Sequence, residues 1–286
     1  MTGRDIAQVV VAAGGLGTRV QDWSAFLPKE FTPVDGQPGI VRLLGEISAL
    51  GRARVVVVYH PYYEPFIRWA RRVLTTGATT RYRRAAGLPP DHAPRWEQLD
   101  LAFVRQHGRY ADVTSILNGA ARLRDGDLYM AFADNLYPHD NPMLALHASP
   151  AGDTVLARPY DRAEAAHRGV ILTTETNGYR LMVDLIEKPD HGAARDLEQR
   201  HGSDRLWLLE GRARLTPAFI AHLNGLRLPE DTEPKLSLAL RSYCHNSPVT
   251  VVATSSPVID LGTRPDTPCA PRPCLSRRSP GVAPLR

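Results

Sequence analysis

Apolar residues along the chain fall into short unbroken runs separated by stretches of helical spacing. Val9–Ala13 is apolar at every position, and Val55–Val58 forms the heart of a second run, Arg54–Tyr59. Unbroken runs of this length belong to strands covered on both faces, because a half-exposed strand alternates. Between the two runs, from about Ile40 to Leu50, the spacing predicts a helix. Pro61 suits the first turn of another helix, reaching Arg72. Leu101–Val104 and Leu128–Ala133 read as further strands, with a helix between them from about Val113 to Leu123. Asn141-Pro142 and Thr216-Pro217 each pair a capping side chain with a proline and mark helix starts. More strands are expected at Thr154–Ala157, Gly169–Thr173, Tyr179–Ile186, Leu206–Ala213 and Val249–Ala253.

Strand and helix alternate through the first half, which predicts an α/β protein with a Rossmann-like, mixed but mostly parallel sheet and helices on both faces. The strand-rich second half predicts the mixed part of that sheet or a subsidiary ribbon. Residues 75–97, polar and rich in Gly, Pro and Arg, read as a surface insertion. One domain is expected over residues 1–266. The Pro- and Arg-rich stretch 267–286 cannot bury a core and is expected to be an unstructured tail.

Charge changes this picture little. The net charge is +5, but five arginines against one acid after Thr263 carry four of those charges, so the body is nearly neutral. That distribution argues against nucleic acid as a partner. No apolar run approaches the ~20 residues of a membrane span, and three cysteines cannot frame a disulfide-rich fold. A cytoplasmic protein is expected. Neither the ten histidines nor Cys269 and Cys274 show zinc-site spacing.

The first strand ends in Gly14-Gly15-Leu16-Gly17-Thr18-Arg19. Glycines at that point let backbone N–H groups approach an anion without an intervening side chain. Thr18-Arg19 stands where a P-loop needs Lys-Ser/Thr. Val20 stands where a dinucleotide fold wants its third glycine, and His60 where that fold wants an acid. A bare turn is the remaining alternative. Arg19 and Lys29, two cations flanking the turn, favour a nucleoside-phosphate site over it.

The stretch "AAGGLGTRV…FLPKEFTPV" resembles the opening of the sugar-phosphate nucleotidyltransferases, and its Pro-Lys-Glu form is similar to the bacterial UTP–glucose-1-phosphate uridylyltransferases. "FVRQ", "ADNLY", "RGVI", "LIEKPD" and "VIDLGTRPD" follow in the family's order, over about residues 6–266. The resemblance implies a nucleotide-diphospho-sugar transferase fold and an enzyme that joins a nucleoside triphosphate, UTP, to a sugar 1-phosphate, glucose 1-phosphate. It implies that Ala12, Ala13, Gly14, Gly15, Gly17, Thr18, Arg19 and Gln106 bind the nucleotide, Arg19 at the β- and γ-phosphates and Gln106 at the base. Asp134 and Asp260 would hold Mg2+, and Lys29 would bridge the reacting phosphates. Lys188 would grip the sugar phosphate, Glu187 would accept sugar hydroxyls, and Gly169 and Gly211 would let the sugar approach the backbone. Catalysis would rest on Arg19, Lys29 and Lys188, and a homo-oligomer (dimer or tetramer) is implied.

The sequence departs from the family at three places. Asp112 and Val113 stand where small residues are usual beside the base, Arg168 replaces an aromatic residue before Gly169, and the helices that usually follow Asp-x-Gly-Thr give way to the tail. A dTTP-using enzyme, another sugar, or an inactive nucleotide-sugar binder therefore stay open at this point.

Overall fold

The computed structural model describes residues 6–75, 78–87, 95–227 and 232–263. The expected tail, with Cys269 and Cys274, and part of the 75–97 insertion lie outside the described residues. Nine strands form one sheet: β1 (Ala7–Ala13), β2 (Ala53–Tyr59), β3 (Leu99–Arg105), β4 (Leu128–Phe132), β5 (Thr154–Pro159), β6 (Gly169–Thr176), β7 (Tyr179–Glu187), β8 (Leu206–Leu215) and β9 (Thr250–Ala253). Their order is β3-β2-β1-β4-β8-β5-β9-β7-β6.

The first four strands are parallel, β1 lying between β2 and β4 with β3 outside β2. Beyond them β8 runs antiparallel to β4, β5 and β6, β7 runs antiparallel to β9 and β6, and only the β9–β5 pair is parallel. The expected mostly parallel sheet thus describes the N-terminal half alone. The reason is β8, which enters from the far end of the chain and inserts between β4 and β5.

The α-helices among the described residues are α1 (Gly39–Ser48), α2 (Glu64–Thr75), α3 (Ala78–Ala85), α4 (Asp112–Ala120), α5 (Pro142–Ala148), α6 (Arg162–Ala165), α7 (His191–His201), α8 (Pro217–Gly225) and α9 (Leu236–Cys244). The continuous apolar run of β1 is explained by burial on two sides. Val10 packs with Val56, Ile116, Phe219 and Leu240, beneath α4, α8 and α9. Val9 and Val11 pack with Val55, Ile40, Leu44 and Met143, beneath α1 and α5. The two proline-marked starts are capped as expected: Leu144 donates its N–H to the Asn141 side chain at 3.1 Å, and Phe219 to Thr216 at 3.3 Å. Among the described residues no helix is long and apolar enough to cross a membrane.

One charged side chain is wholly enclosed. Arg212, in the middle of β8, has a side chain with no exposed surface and meets Glu46 of α1 through two bonds of 2.9 Å. The same guanidinium donates to the carbonyls of Phe132 at 3.0 Å, Gly211 at 2.9 Å and Asn135 at 2.8 Å. All its planar donors are directed at oxygen, which is what a buried guanidinium requires. Removing one partner of a buried pair strands the other charge at a cost of about 3–5 kcal/mol. Arg212→Met should therefore lower the unfolding free energy by about that much in urea titration. Arg54→Met, which breaks the half-exposed pair with Asp100, should cost less than about 1 kcal/mol. Equal losses would deny the buried pair any special standing.

Candidate active site

The carboxyl ends of β1 and β4 open onto a cleft of about 520 Å3. This is the edge at which a parallel α/β sheet gathers loops around a ligand. Ala12, Gly14, Gly15, Gly17, Thr18 and Arg19 line one wall. Ala13 and Gln106, both buried, stand behind that wall rather than on it. Gln106 explains Gly14: a Cβ there would fall 2.0 Å from the Gln106 Oε1. Ser115 donates to that oxygen at 3.1 Å, and the Gln106 amide donates to the Ala111 carbonyl at 3.4 Å.

Asp134 lies two residues beyond the end of β4. Asp260 belongs to a two-residue strand, Ile259–Asp260, that pairs antiparallel with Asn135–Leu136. Leu261 N–H also donates to the Asp134 carbonyl at 2.8 Å. This small ribbon fastens two distant parts of the chain together beside the glycine loop. A Cβ added to Gly262 would meet Asp260 Oδ1 at 3.0 Å, Asp134 Oδ2 at 3.2 Å and Lys29 Nζ at 3.3 Å. Both carboxylates and one ammonium thus converge on a single point. Lys29, on a short 3-10 turn (Lys29–Phe31), is ion-paired with Asp134.

Burial would lower the Lys29 ammonium, but Asp134, Glu30 and Asp260 together hold it above the ordinary lysine value. Burial would likewise raise the Asp134 carboxyl, yet the charge and hydrogen bond of Lys29, with Arg19 behind, hold it below the usual aspartate value. Two converging carboxylates that line the cleft are oxygen ligands of the kind a hard cation such as Mg2+ takes. Among the described residues no cluster of three or more His, Cys, Asp or Glu side chains offers a closed metal cage.

The opposite end of the cleft is built by β6, β7 and β8. Gly169 opens β6, Glu187 ends β7 with Lys188 just beyond it, and Gly211 lies within β8; all four line the cleft. A Cβ on Gly211 would fall 2.3 Å from Asn135 Oδ1, so the glycine makes room for that side chain. Lys188 has φ +46°, a left-handed conformation that costs a side-chain-bearing residue energy. Its N–H is held by the Arg168 carbonyl at 3.1 Å. Arg168 itself lines the cleft and reaches buried Glu210 at 3.4 Å, whose other oxygen takes Arg158 at 2.7 Å.

The architecture has known counterparts. A UDP-glucose pyrophosphorylase solved with UDP-glucose superposes with a TM-score of 0.73 at 22% identity, covering 91% of this chain and 94% of that one. An inositol-1-phosphate CTP transferase from T. maritima superposes with a TM-score of 0.63 at 13% identity over 92% and 91%. This chain has the fold of the sugar-phosphate nucleotidyltransferases. In sequence, the UTP–glucose-1-phosphate uridylyltransferase AglF of Haloferax volcanii is 25% identical over 185 residues, 64% of this chain and 65% of that protein. The chain's match thus spans just under two thirds of that relative's length. UTP–glucose-1-phosphate uridylyltransferase 2 of Staphylococcus saprophyticus is 20% identical over 196 residues, 67% of this chain and 68% of that one. No family model matches the chain.

The structure brings every candidate site residue to the cleft wall except Ala13 and Gln106, which lie behind it; of the departures, Asp112 and Arg168 line the cleft while Val113 is buried in the core. Sequence reasoning passed over Glu30, His167, Glu210 and Lys235, which also line the cleft. Glu30 lay inside the quoted Pro-Lys-Glu, so a signal existed. Lys235 precedes α9 in a stretch with no motif and carried none.

Glu30 is 1% exposed, and its Oε2 has no hydrogen-bond partner. Burial, countered by Lys29 and assisted by Asp134, pushes its carboxyl from the ordinary 4.5 up to about 8. A carboxyl raised on folding contributes stability that is full below its unfolded value and is lost as pH climbs through the folded one. Glu30→Gln cannot ionise, so between about pH 5 and pH 9 its stability relative to wild type should rise. Paired urea titrations across that range check this, and a flat difference would mean that Glu30 is ionised throughout.

Proposed function

We propose that this chain is a nucleotidyltransferase that joins UTP to glucose 1-phosphate, releasing pyrophosphate and forming UDP-glucose. The observation that carries the reading is the meeting of Asp134, Asp260 and Lys29 at one point beside the Gly14–Arg19 loop. The choice of UTP and glucose 1-phosphate rests on the names of the two sequence relatives. The catalytic unit in this reading is the domain over residues 1–266, working in the cytoplasm.

A phosphate oxygen of the sugar 1-phosphate attacks the α-phosphorus, a new P–O bond forms, and the bond from that phosphorus to the bridging oxygen of pyrophosphate breaks. Two polyanions must meet, so catalysis reduces to positioning and charge compensation. Asp134 and Asp260 would hold Mg2+, which when bound neutralises charge on the triphosphate. The loop N–H groups and Arg19 receive the β- and γ-phosphates and keep the leaving pyrophosphate aligned. Lys29, kept protonated by the surrounding carboxylates, faces the crowded reacting oxygens and stabilises the charge that builds there. Lys188, set by its strained backbone, grips the sugar phosphate, and Glu187 accepts sugar hydroxyls. Gln106, held behind Gly14 by Ser115 and the Ala111 carbonyl, backs the wall against which the base would rest.

Pyrophosphate release measured over four nucleoside triphosphates and several sugar 1-phosphates should be fastest for UTP with glucose 1-phosphate. Asp134→Asn and Asp260→Asn should each lower kcat by roughly 10^2–10^3 with an unchanged circular dichroism spectrum. Lys29→Ala should depress kcat more than it raises KM. Undiminished turnover in Asp134→Asn, or no release with any substrate pair, would overturn the reading.

A further inference from the structure

Glu233, Lys235 and Leu236, at the start of α9, line the cleft. The backbone is fastened on both sides of Lys235. Leu236 N–H donates to Asp112 Oδ1 at 2.8 Å, and the Pro234 carbonyl accepts from Val113 N–H at 3.4 Å. Asp112 and Val113 open α4 on the nucleotide side. From this anchored position the Lys235 ammonium reaches Glu187 Oε1 at 3.2 Å, with Glu233 more distant at 3.9 Å. Lys235 and Glu187 are 30% and 19% exposed, and both line the cleft.

An exposed lysine–carboxylate pair on an open surface is worth little. This one differs in two respects. Its backbone is pinned at both neighbours, so only the rotamers of the side chain itself have to be ordered. It also faces the end of the cleft assigned above to the sugar. An ammonium has three N–H groups, and the structure commits one of them to Glu187 at hydrogen-bond distance. Glu187 in turn keeps its Oε2 for another partner. A hydroxyl arriving there meets a charged acceptor and a charged donor side by side, the pairing that a hydroxyl, donor and acceptor at once, satisfies fully.

We propose that Lys235 is a specificity-determining residue of the sugar subsite, which fixes the Glu187 carboxylate and donates to the same sugar hydroxyl that Glu187 accepts. The inference rests on the nucleotidyltransferase reading and adds a residue to it. It also gives Asp112 a purpose: the residue that crowds the nucleotide end is the anchor that sets the sugar end.

The test is calorimetric binding of UDP-glucose and of UDP, which needs no turnover. In wild type, UDP-glucose should bind more tightly than UDP. In Lys235→Met the affinity for UDP-glucose should fall roughly tenfold or more, with UDP unchanged, and Lys235→Arg should restore most of the loss. Equal weakening of both ligands would make Lys235 a prop for α9 or a phosphate contact and overturn the proposal. Unchanged binding of both in Lys235→Met, or a wild type that binds UDP-glucose no better than UDP, would overturn it too. Failure of the reaction itself is separate, and shows as absence of pyrophosphate release from the wild-type enzyme.

Discussion

The Arg212 guanidinium is held by the Glu46 carboxylate and by the carbonyls of Phe132, Gly211 and Asn135. Two of those carbonyls flank Asp134, one before it and one after. The arginine therefore fixes the backbone from which the Asp134 carboxylate projects, and ties it at once to β8 and α1. Enclosing a charge costs several kcal/mol unless its donors are all engaged, so the turn after β4, the middle of β8 and one side of α1 must stay together or fail together. The cleft takes its shape from that constraint: Gly211 lines it from the same strand, and Asn135 continues into the ribbon that brings Asp260 alongside.

A second consequence is electrostatic. Folding gathers Asp134, Asp260 and Glu30 near one another, an arrangement that like charges resist. Lys29 relieves it by pairing with Asp134, and Glu30 relieves it by holding its proton to about pH 8. In the proposed reading this crowding has a purpose, because the site would receive a cation and polyphosphates. The strained backbone at Lys188 follows the same logic at the other end, where a left-handed residue is retained to aim a side chain into the cleft.

Much of this was legible in the sequence, and for identifiable reasons. Strands covered on both faces announce themselves by unbroken apolar runs, so β1 and β2 could be read directly. Asn-Pro and Thr-Pro marked α5 and α8 because capping is local chemistry. The glycine loop with Arg19 and Lys29 could be picked out by residue type alone, and the fold puts it on the cleft wall. By contrast, the antiparallel insertion of β8 between β4 and β5 is a long-range choice that no local pattern encodes. Helix α7 buries only Ala194 and Leu197, too few apolar positions to set a period. Arg212 looks from sequence like a solvent-facing strand residue, because burial of a guanidinium is decided by partners far away in the chain. Lys235 is invisible for the same reason: its importance comes from Asp112 and Glu187, which the fold supplies.

In the proposed reading Asp134 and Asp260 act as one divalent-cation site beside the glycine loop. Electron paramagnetic resonance of Mn2+ titrated into the protein with UTP tests it without any need for turnover. Bound Mn2+ is expected in the wild-type complex, with affinity sharply weakened by Asp134→Asn and by Asp260→Asn alike. Mn2+ binding that is indifferent to both substitutions would contradict it.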